Sequence, residues 1–318
     1  MHTQIVGLHA PNAPRLRELL GPGHEVEALQ GFPASGPIQA DVVISNSVSA
    51  DEAARLRCRL LHVPGAGSEQ IACPALPSGT TVCNVHGHEV PIAEFTLHAV
   101  LEHFLQLWQY PARLDAAAWA EAYASRAQHD EADGKTVAIL GFGHIGQEIA
   151  RRARAFGMHV IAVTRSGKQG SAELADAYVP VSTLDDVLPR VHCLVLCCPL
   201  DDSTRGLIGA RQLALLPARS LLVNVARAEV VDEQALYEAL RDKPLTRAVL
   251  DVWYQYPKKD QAVNPSRWPL HELPNVRATP HISAMTPALL DRRYRFMAQN
   301  IERLQQGQPL LNVIYQVP

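Results

Sequence analysis

The sequence predicts an α/β protein made of doubly wound parallel sheets. Two observations carry this: short apolar runs alternate with amphipathic helical patterns along the whole chain, and a glycine-rich turn joins one such run to one such helix. With 318 residues, 47% of them apolar and 19% charged, the chain can bury a sizeable core and is long enough for two domains or one elaborate one.

Taken in order, the first runs are QIVGLHA, ADVVISNS and LLHVPGAG, separated by the helical pattern APRLRELLG and by a helix that Ser49 opens in SADEAARLRC. The long apolar segment from Val90 to Tyr110 reads as a link between domains. A second series begins at Gly134, after the polar stretch AQHDEADGK. Its strand candidates are TVAILG, HVIAVT, CLVLCCP, SLLVNVA, AVLDVW and VRATPH, with intervening segments long enough for crossover helices. Six such strands complete one sheet. The final helix, with Thr286 as cap and Pro287 in its first turn, carries Leu290, Tyr294, Met297, Ile301 and Leu304 on one face and stops at Gly307. Because the second sheet is already complete, this helix is expected to return to the first domain.

Composition removes several function classes. Basic and acidic residues number 29 and 32, a net charge of -3, which gives no electrostatic footprint for nucleic acid or an anionic membrane. No stretch approaches the ~20 apolar residues of a spanning helix, and MHTQIVGLHAP lacks the pattern of a secretory leader, so a cytoplasmic protein is expected. The six cysteines show no metal-ligand spacing, and Cys197 and Cys198 lie in an apolar run, so they read as buried thiols and no metal is expected.

The turn Gly141-Phe142-Gly143-His144-Ile145-Gly146 follows the strand TVAIL and opens the helix QEIARRARAF. In that context each glycine has a task. Gly141 permits the tight turn, Gly143 lets backbone approach a pyrophosphate, and Gly146 lets helix pack on strand. The helix N-terminus then faces the anion. An NAD site usually places an acidic residue roughly 20 positions further on to accept hydrogen bonds from the ribose hydroxyls. Here that position is Thr164, followed by Arg165 and Ser166, with Lys168 close by. No carboxylate repels a 2′-phosphate, Arg165 can bond it, and the hydroxyls can donate to it. NADPH is therefore expected over NADH, the competing reading being that Arg165 and Lys168 belong to a solvated turn.

Three later segments fall near predicted strand ends, where open α/β sheets place ligands: NVARAEVVDE with Arg227, VLDVWYQYP with Asp251, and NVRATPHIS with His281. Each could be structural on its own. Together, after a dinucleotide fingerprint, they offer a carboxylate clamp and a proton carrier beside a hydride donor.

At these residues, and in VPGAG (Val63 to Gly67), Asn84, Ile92-Ala93-Glu94 and PHIS, the chain resembles the D-isomer-specific 2-hydroxyacid dehydrogenase family, in the manner of its glyoxylate/hydroxypyruvate reductases, over essentially its full length. The resemblance implies two doubly wound domains: a Rossmann cofactor domain at 99–285, inserted into a flavodoxin-like substrate domain made of 1–98 and 286–318. It also implies a homodimer joined through the cofactor domains. By the same resemblance Ala66 and Gly67 present backbone N–H groups to a substrate carboxylate, and Arg227 binds the carboxylate and carbonyl. His144 and Ile145 bind the pyrophosphate, Cys198, Pro199, Thr204 and Val225 line the cofactor groove, and Asp251 meets the nicotinamide amide. His281 is the proton donor and also borders the cofactor. Arg227 and His281 suit the reduction of a 2-keto acid, in which the carbonyl oxygen gains negative charge and then needs a proton.

The sequence departs from the family pattern in the acid that pairs with the histidine. The slot before Pro257 is Tyr256 where a glutamate is usual, and Gln255 sits one residue before the slot that holds glutamine in the similar formate dehydrogenases. Either Tyr256 or Gln255 is expected to orient His281, with a weaker upward pull on its pKa than a carboxylate exerts. Three readings follow: a keto-acid reductase, a dehydrogenase of another small anion such as formate, and an NAD(P)-binding regulator resembling the family's corepressors. Ala228 replaces a common glycine, which matters only if that backbone needs positive φ. His86 and His88 are candidates to touch a substrate's distal polar group, with a surface loop as the plain alternative. Trp253 and Tyr254 suggest an apolar or aromatic substrate tail.

Overall fold

The computed structural model describes residues 1–110, 113, 115–126, 128–243, 246–257 and 261–317. The chain divides into two compact units, Met1–Gly87 with Thr286–Pro318, and His88–Met285. The first division falls ahead of the expected boundary at 98/99. The reason is the helix α3 (Glu89–Leu105), which is continuous and buries Ile92, Ala93, Leu97 and Val100 in the same core as Val137, Ile149 and Ala153. The boundary therefore lies where the helix starts.

The first unit holds β1 (His2–Val6), β2 (Glu25–Leu29), β3 (Ile38–Gln39), β4 (Val42–Ile44), β5 (Leu56–Arg57), β6 (Leu60–His62), β7 (Thr81–Cys83) and the C-terminal β15 (Val313–Gln316), with helices α1 (Ala13–Leu20), α2 (Ala50–Arg55) and α9 (Pro287–Gln305). Its main sheet runs β15-β7-β6-β4-β1-β2, all parallel except β15 against β7. Omitting β15, the parallel strands follow the flavodoxin-like order 2-1-3-4-5. Ser49 closes a capping box with Glu52, which starts α2. Thr286 accepts a hydrogen bond from the Leu289 N–H, and Tyr294, Met297 and Ile301 of α9 are buried with Ile5 and Leu16, so this helix does return to the first unit.

The second unit holds β8 (Thr136–Leu140), β9 (His159–Thr164), β10 (Ala177–Pro180), β11 (Cys193–Leu196), β12 (Leu221–Asn224), β13 (Arg247–Leu250) and β14 (Val276–Ala278). Its helices are α3, α4 (Ala116–Ala124), α5 (His144–Ala155), α6 (Leu184–Val187), α7 (Ala210–Leu215) and α8 (Glu233–Asp242). The sheet order is β10-β9-β8-β11-β12-β13-β14, wholly parallel, with a buried cluster on each face. It has seven strands, not the six expected. The missed strand, β10, is an edge strand of sequence AYVP with no fully buried residue and a terminal proline, so it shows no apolar run. The carboxyl ends of β8 and β11, between which the winding reverses, are where such a sheet offers a binding crevice.

Among the described residues no helix is long and apolar enough to cross a membrane, and no group of His, Cys, Asp and Glu is placed to hold a metal ion. The cysteines are free thiols, and burial pushes Cys58 and Cys83 up to about 12.

The interior contains neutral histidines. His62 is fully buried and lowered to about 4 by desolvation. Its Nδ1 lies 3.3 Å from the Val63 carbonyl, and the Asn300 amide donates to Nε2 at 3.1 Å, so a second ring proton would face a donor. His9 and His103 are likewise lowered to about 4, chiefly by burial. Since each folded pKa lies below the unfolded value, the unfolded chain binds more protons between the two. Stability is therefore full above about pH 6.5 and falls as pH drops towards 4, by roughly 3 kcal/mol for His62 alone. Urea unfolding midpoints measured across that window are expected to decline with acidity; a flat profile would show that these rings are not buried neutral.

Candidate active site

The glycine-rich turn connects β8 to α5. Gly141 has φ of 95°, and a Cβ there would lie 2.6 Å from the Cys198 backbone. A Cβ on Gly146 would collide with the Gly141 carbonyl oxygen, so these two positions accept no side chain. A Cβ on Gly143 would meet nothing within 4 Å, which leaves open space in front of the α5 N-terminus. Gly143 is the N-cap and offers no side-chain cap to the first N–H groups of the helix. His144 is exposed there, and Ile145 packs on the core. The neighbouring wall is Cys198, Pro199 and Val225. Cys198 and Val225 are nearly buried, and the Pro199 carbonyl accepts from the Thr204 hydroxyl at 2.8 Å. Open space, a helix N-terminus without a side-chain cap and an apolar wall fit a dinucleotide.

At the end of β9, Thr164 Oγ1 accepts from the Gly167 N–H at 3.0 Å and Ser166 Oγ from the Lys168 N–H at 3.3 Å, so both hydroxyls shape the turn. Arg165 is 80% exposed. It is also paired: its guanidinium donates to Asp201 Oδ2 at 3.0 Å. Sequence reasoning missed Asp201, because it lies 36 residues away and beyond a different strand.

The chemistry-bearing residues gather at the carboxyl ends of β12, β13 and β14. Asn224, the last residue of β12, accepts from the Ala226 N–H at 3.0 Å and donates to the Arg227 carbonyl at 3.1 Å, so it sets the loop from which half-buried Arg227 projects. Nothing in the sequence marked Asn224 as this brace. Ala228 starts a 3-10 turn and is not among the positive-φ residues, so the loss of glycine there is silent.

Asp251 differs from expectation. It is fully buried and has both oxygens committed: Oδ1 accepts from the Thr279 hydroxyl at 2.7 Å and the Ile282 N–H at 2.8 Å, and Oδ2 from the Ser283 N–H at 2.9 Å. A carboxylate so enclosed is not presented to a nicotinamide amide. It instead clamps the turn that carries His281, whose φ of 59° is left-handed and costly for a side chain with a Cβ.

Tyr256, not Gln255, meets His281. The phenol oxygen is 2.9 Å from His281 Nδ1 and accepts from the Trp253 N–H at 3.2 Å, whereas Gln255 is held by its backbone N–H to the Pro265 carbonyl. Burial lowers the His281 pKa from its usual value, with Arg227 adding to this and Asp251 opposing it. Burial raises Tyr256. Trp253 and Tyr254 do not form the expected lining for a substrate tail. Trp253 is buried and donates to the Thr279 carbonyl, Tyr254 donates to the Val231 carbonyl, and both serve the core.

In the first unit the loop after β6 carries half-buried Ala66 and exposed Gly67, fixed by the Asn84 amide, which donates to the Ala66 carbonyl at 2.9 Å. His86 is half-buried. His88 is not a surface-loop residue: it is only 8% exposed, stands at the N-cap of α3 in the second unit, and has Nδ1 4.0 Å from Glu89.

Residues 97–283 match the family described as D-isomer specific 2-hydroxyacid dehydrogenase, NAD binding domain. Among curated proteins, a D-3-phosphoglycerate dehydrogenase from Methanocaldococcus jannaschii is 31% identical over 81% of this chain and 48% of that protein. A hydroxypyruvate reductase from Thermotoga maritima is 33% identical over 78% of this chain and 79% of that protein. The chain spans about half the length of most of the curated relatives it matches. Among solved structures, an NADPH-dependent glyoxylate/hydroxypyruvate reductase from Sinorhizobium meliloti, in complex with NADP and sulfate, superposes with a TM-score of 0.79 at 25% identity, covering 99% of this chain and 98% of that one.

Proposed function

The chain belongs to the D-isomer-specific 2-hydroxyacid dehydrogenase family, and from that premise we propose that it reduces a small 2-keto acid to the D-2-hydroxy acid with NADPH as the preferred donor. The observation that carries the reading is His281, set on a clamped left-handed turn, bonded by Tyr256 and close enough to Arg227 to feel its charge. The relatives named as hydroxypyruvate and glyoxylate/hydroxypyruvate reductases support the same substrate class.

NADPH, when bound, supplies the hydride. The protein's part is to place the acceptor and manage charge. Arg227 is proposed to hold the substrate carboxylate. Arg227 also stabilises the negative charge that grows on the carbonyl oxygen. His281 donates a proton to that oxygen from Nε2, since Nδ1 is engaged by Tyr256, and passes from imidazolium to neutral imidazole. A phenol serves both states. It can accept from the Nδ1–H both of the cation and of the neutral ring left when Nε2 has given up its proton, and so orients His281 without the pull of a carboxylate.

The sign of the pH dependence follows. Imidazolium is the donor and its pKa is lowered, so reduction should weaken as pH rises through a value below the ~6.5 of a free imidazole. Tyr256→Glu should move that limb upward by about one unit, because a carboxylate favours imidazolium. Profiles of kcat/KM against pH for both proteins test this; coincident limbs would remove Tyr256 from control of His281.

The formate reading relied on Gln255, which does not pair with the histidine. A nucleotide-binding regulator would instead bind NADPH tightly yet fail to oxidise it with any of a broad set of 2-keto acids. A homodimer belongs to the proposal: α4 has no buried residue and exposes Trp119 and Tyr123, an apolar face suited to a second copy. A cytoplasmic setting fits the free thiols.

A further inference from the structure

We propose that Asp201 is a cofactor-selectivity residue, holding the Arg165 guanidinium that would otherwise be free to bind a ribose 2′-phosphate. The inference rests on the reading of Arg165 as the phosphate contact.

The topology makes the pair more than a chance surface contact. In the sheet β9 and β11 flank β8 on opposite sides, and the glycine-rich turn leaves the end of β8. Arg165 follows β9 directly, and Asp201 lies in the loop that follows β11. Their bond at 3.0 Å therefore bridges the two loops on either side of the turn that would receive the pyrophosphate. Asp201 is itself preset. Its Oδ1 accepts from the Ser203 N–H at 2.8 Å and the Ser203 hydroxyl at 2.5 Å, so Oδ2 is left for the arginine. These bonds, with Arg165, hold its carboxyl below the usual aspartate range.

A 2′-phosphate must therefore compete with a fixed carboxylate for Arg165 and sit near its negative charge, while exposed Lys168 offers only a loose second cation. A ribose 2′-hydroxyl meets neither penalty. The arrangement tempers a preference for NADPH and keeps NADH usable. The pair is exposed, so the effect should be modest and should shrink with added salt.

Asp201→Asn keeps the acceptor for Ser203 and removes the charge. Equilibrium binding of NADPH and NADH to the full chain, followed by nicotinamide fluorescence, should show NADPH tightened about threefold to tenfold and NADH changed less than about twofold. The gain should vanish in Asp201→Asn/Arg165→Ala. If Arg165→Ala weakens NADPH binding but Asp201→Asn leaves it unchanged or weaker, Asp201 does not set selectivity. If Arg165→Ala leaves NADPH binding unchanged, the reading of Arg165 fails and takes this inference with it.

Discussion

Replacing His281 by alanine should lower kcat for 2-keto acid reduction by about a hundredfold to ten-thousandfold, the usual range for a positioned general acid. The size follows from how much structure is spent on one ring. Asp251 uses three hydrogen bonds to hold the turn, His281 occupies a left-handed backbone, and Tyr256 fixes Nδ1. None of this is needed to fold a β-strand end, and the His281→Ala chain should melt close to the wild type. The Kd for NADPH, measured by nicotinamide fluorescence, should stay within a few-fold, since the turn after β8 supplies most of that site. A loss of binding that matched the loss of rate would mean the histidine holds cofactor and does not transfer the proton.

Arg227→Ala should act on both substrate affinity and turnover. Removing a preorganised charge from a developing oxyanion typically costs about 3 kcal/mol, or roughly a hundredfold in rate, and losing the carboxylate partner should raise KM as well. Arg227→Lys should recover part of the charge but not a two-point grip on carboxylate and carbonyl. There is a further, opposite signature. Arg227 lowers the His281 pKa, so its removal should shift the alkaline limb of the pH profile upward. Steady-state kinetics across pH with one 2-keto acid separate these effects. If KM alone rises while kcat and the limb stay fixed, Arg227 only binds the carboxylate.

The sequence was most informative where local chemistry is obligatory. Alternating apolar runs reveal parallel strands buried on both faces, and the glycines at 141 and 146 are imposed by contacts that exclude a Cβ. The face of α9 could be read from its spacing, down to the capping Thr286. What stayed hidden depends on partners distant in sequence. The edge strand β10 has no apolar run to announce it. The boundary at His88 follows from which core α3 joins, which periodicity does not state. Asp251 was visible as a carboxylate after a strand, but its enclosure by Thr279, Ile282 and Ser283 comes from the next strand's exit. Similarly, Tyr256 and Gln255 were indistinguishable as partners of His281 until the backbone of the intervening loop placed one phenol oxygen beside the ring.

The most direct test of the account is acceptor-dependent oxidation of NADPH by the wild-type chain and by His281→Ala, with glyoxylate, hydroxypyruvate and larger 2-keto acids. Saturable oxidation with at least one acceptor is expected of the wild type, and a loss of at least about a hundredfold in the variant with NADPH binding retained. No acceptor-dependent oxidation by a wild-type chain that binds NADPH, or equal rates in the two proteins, would contradict it.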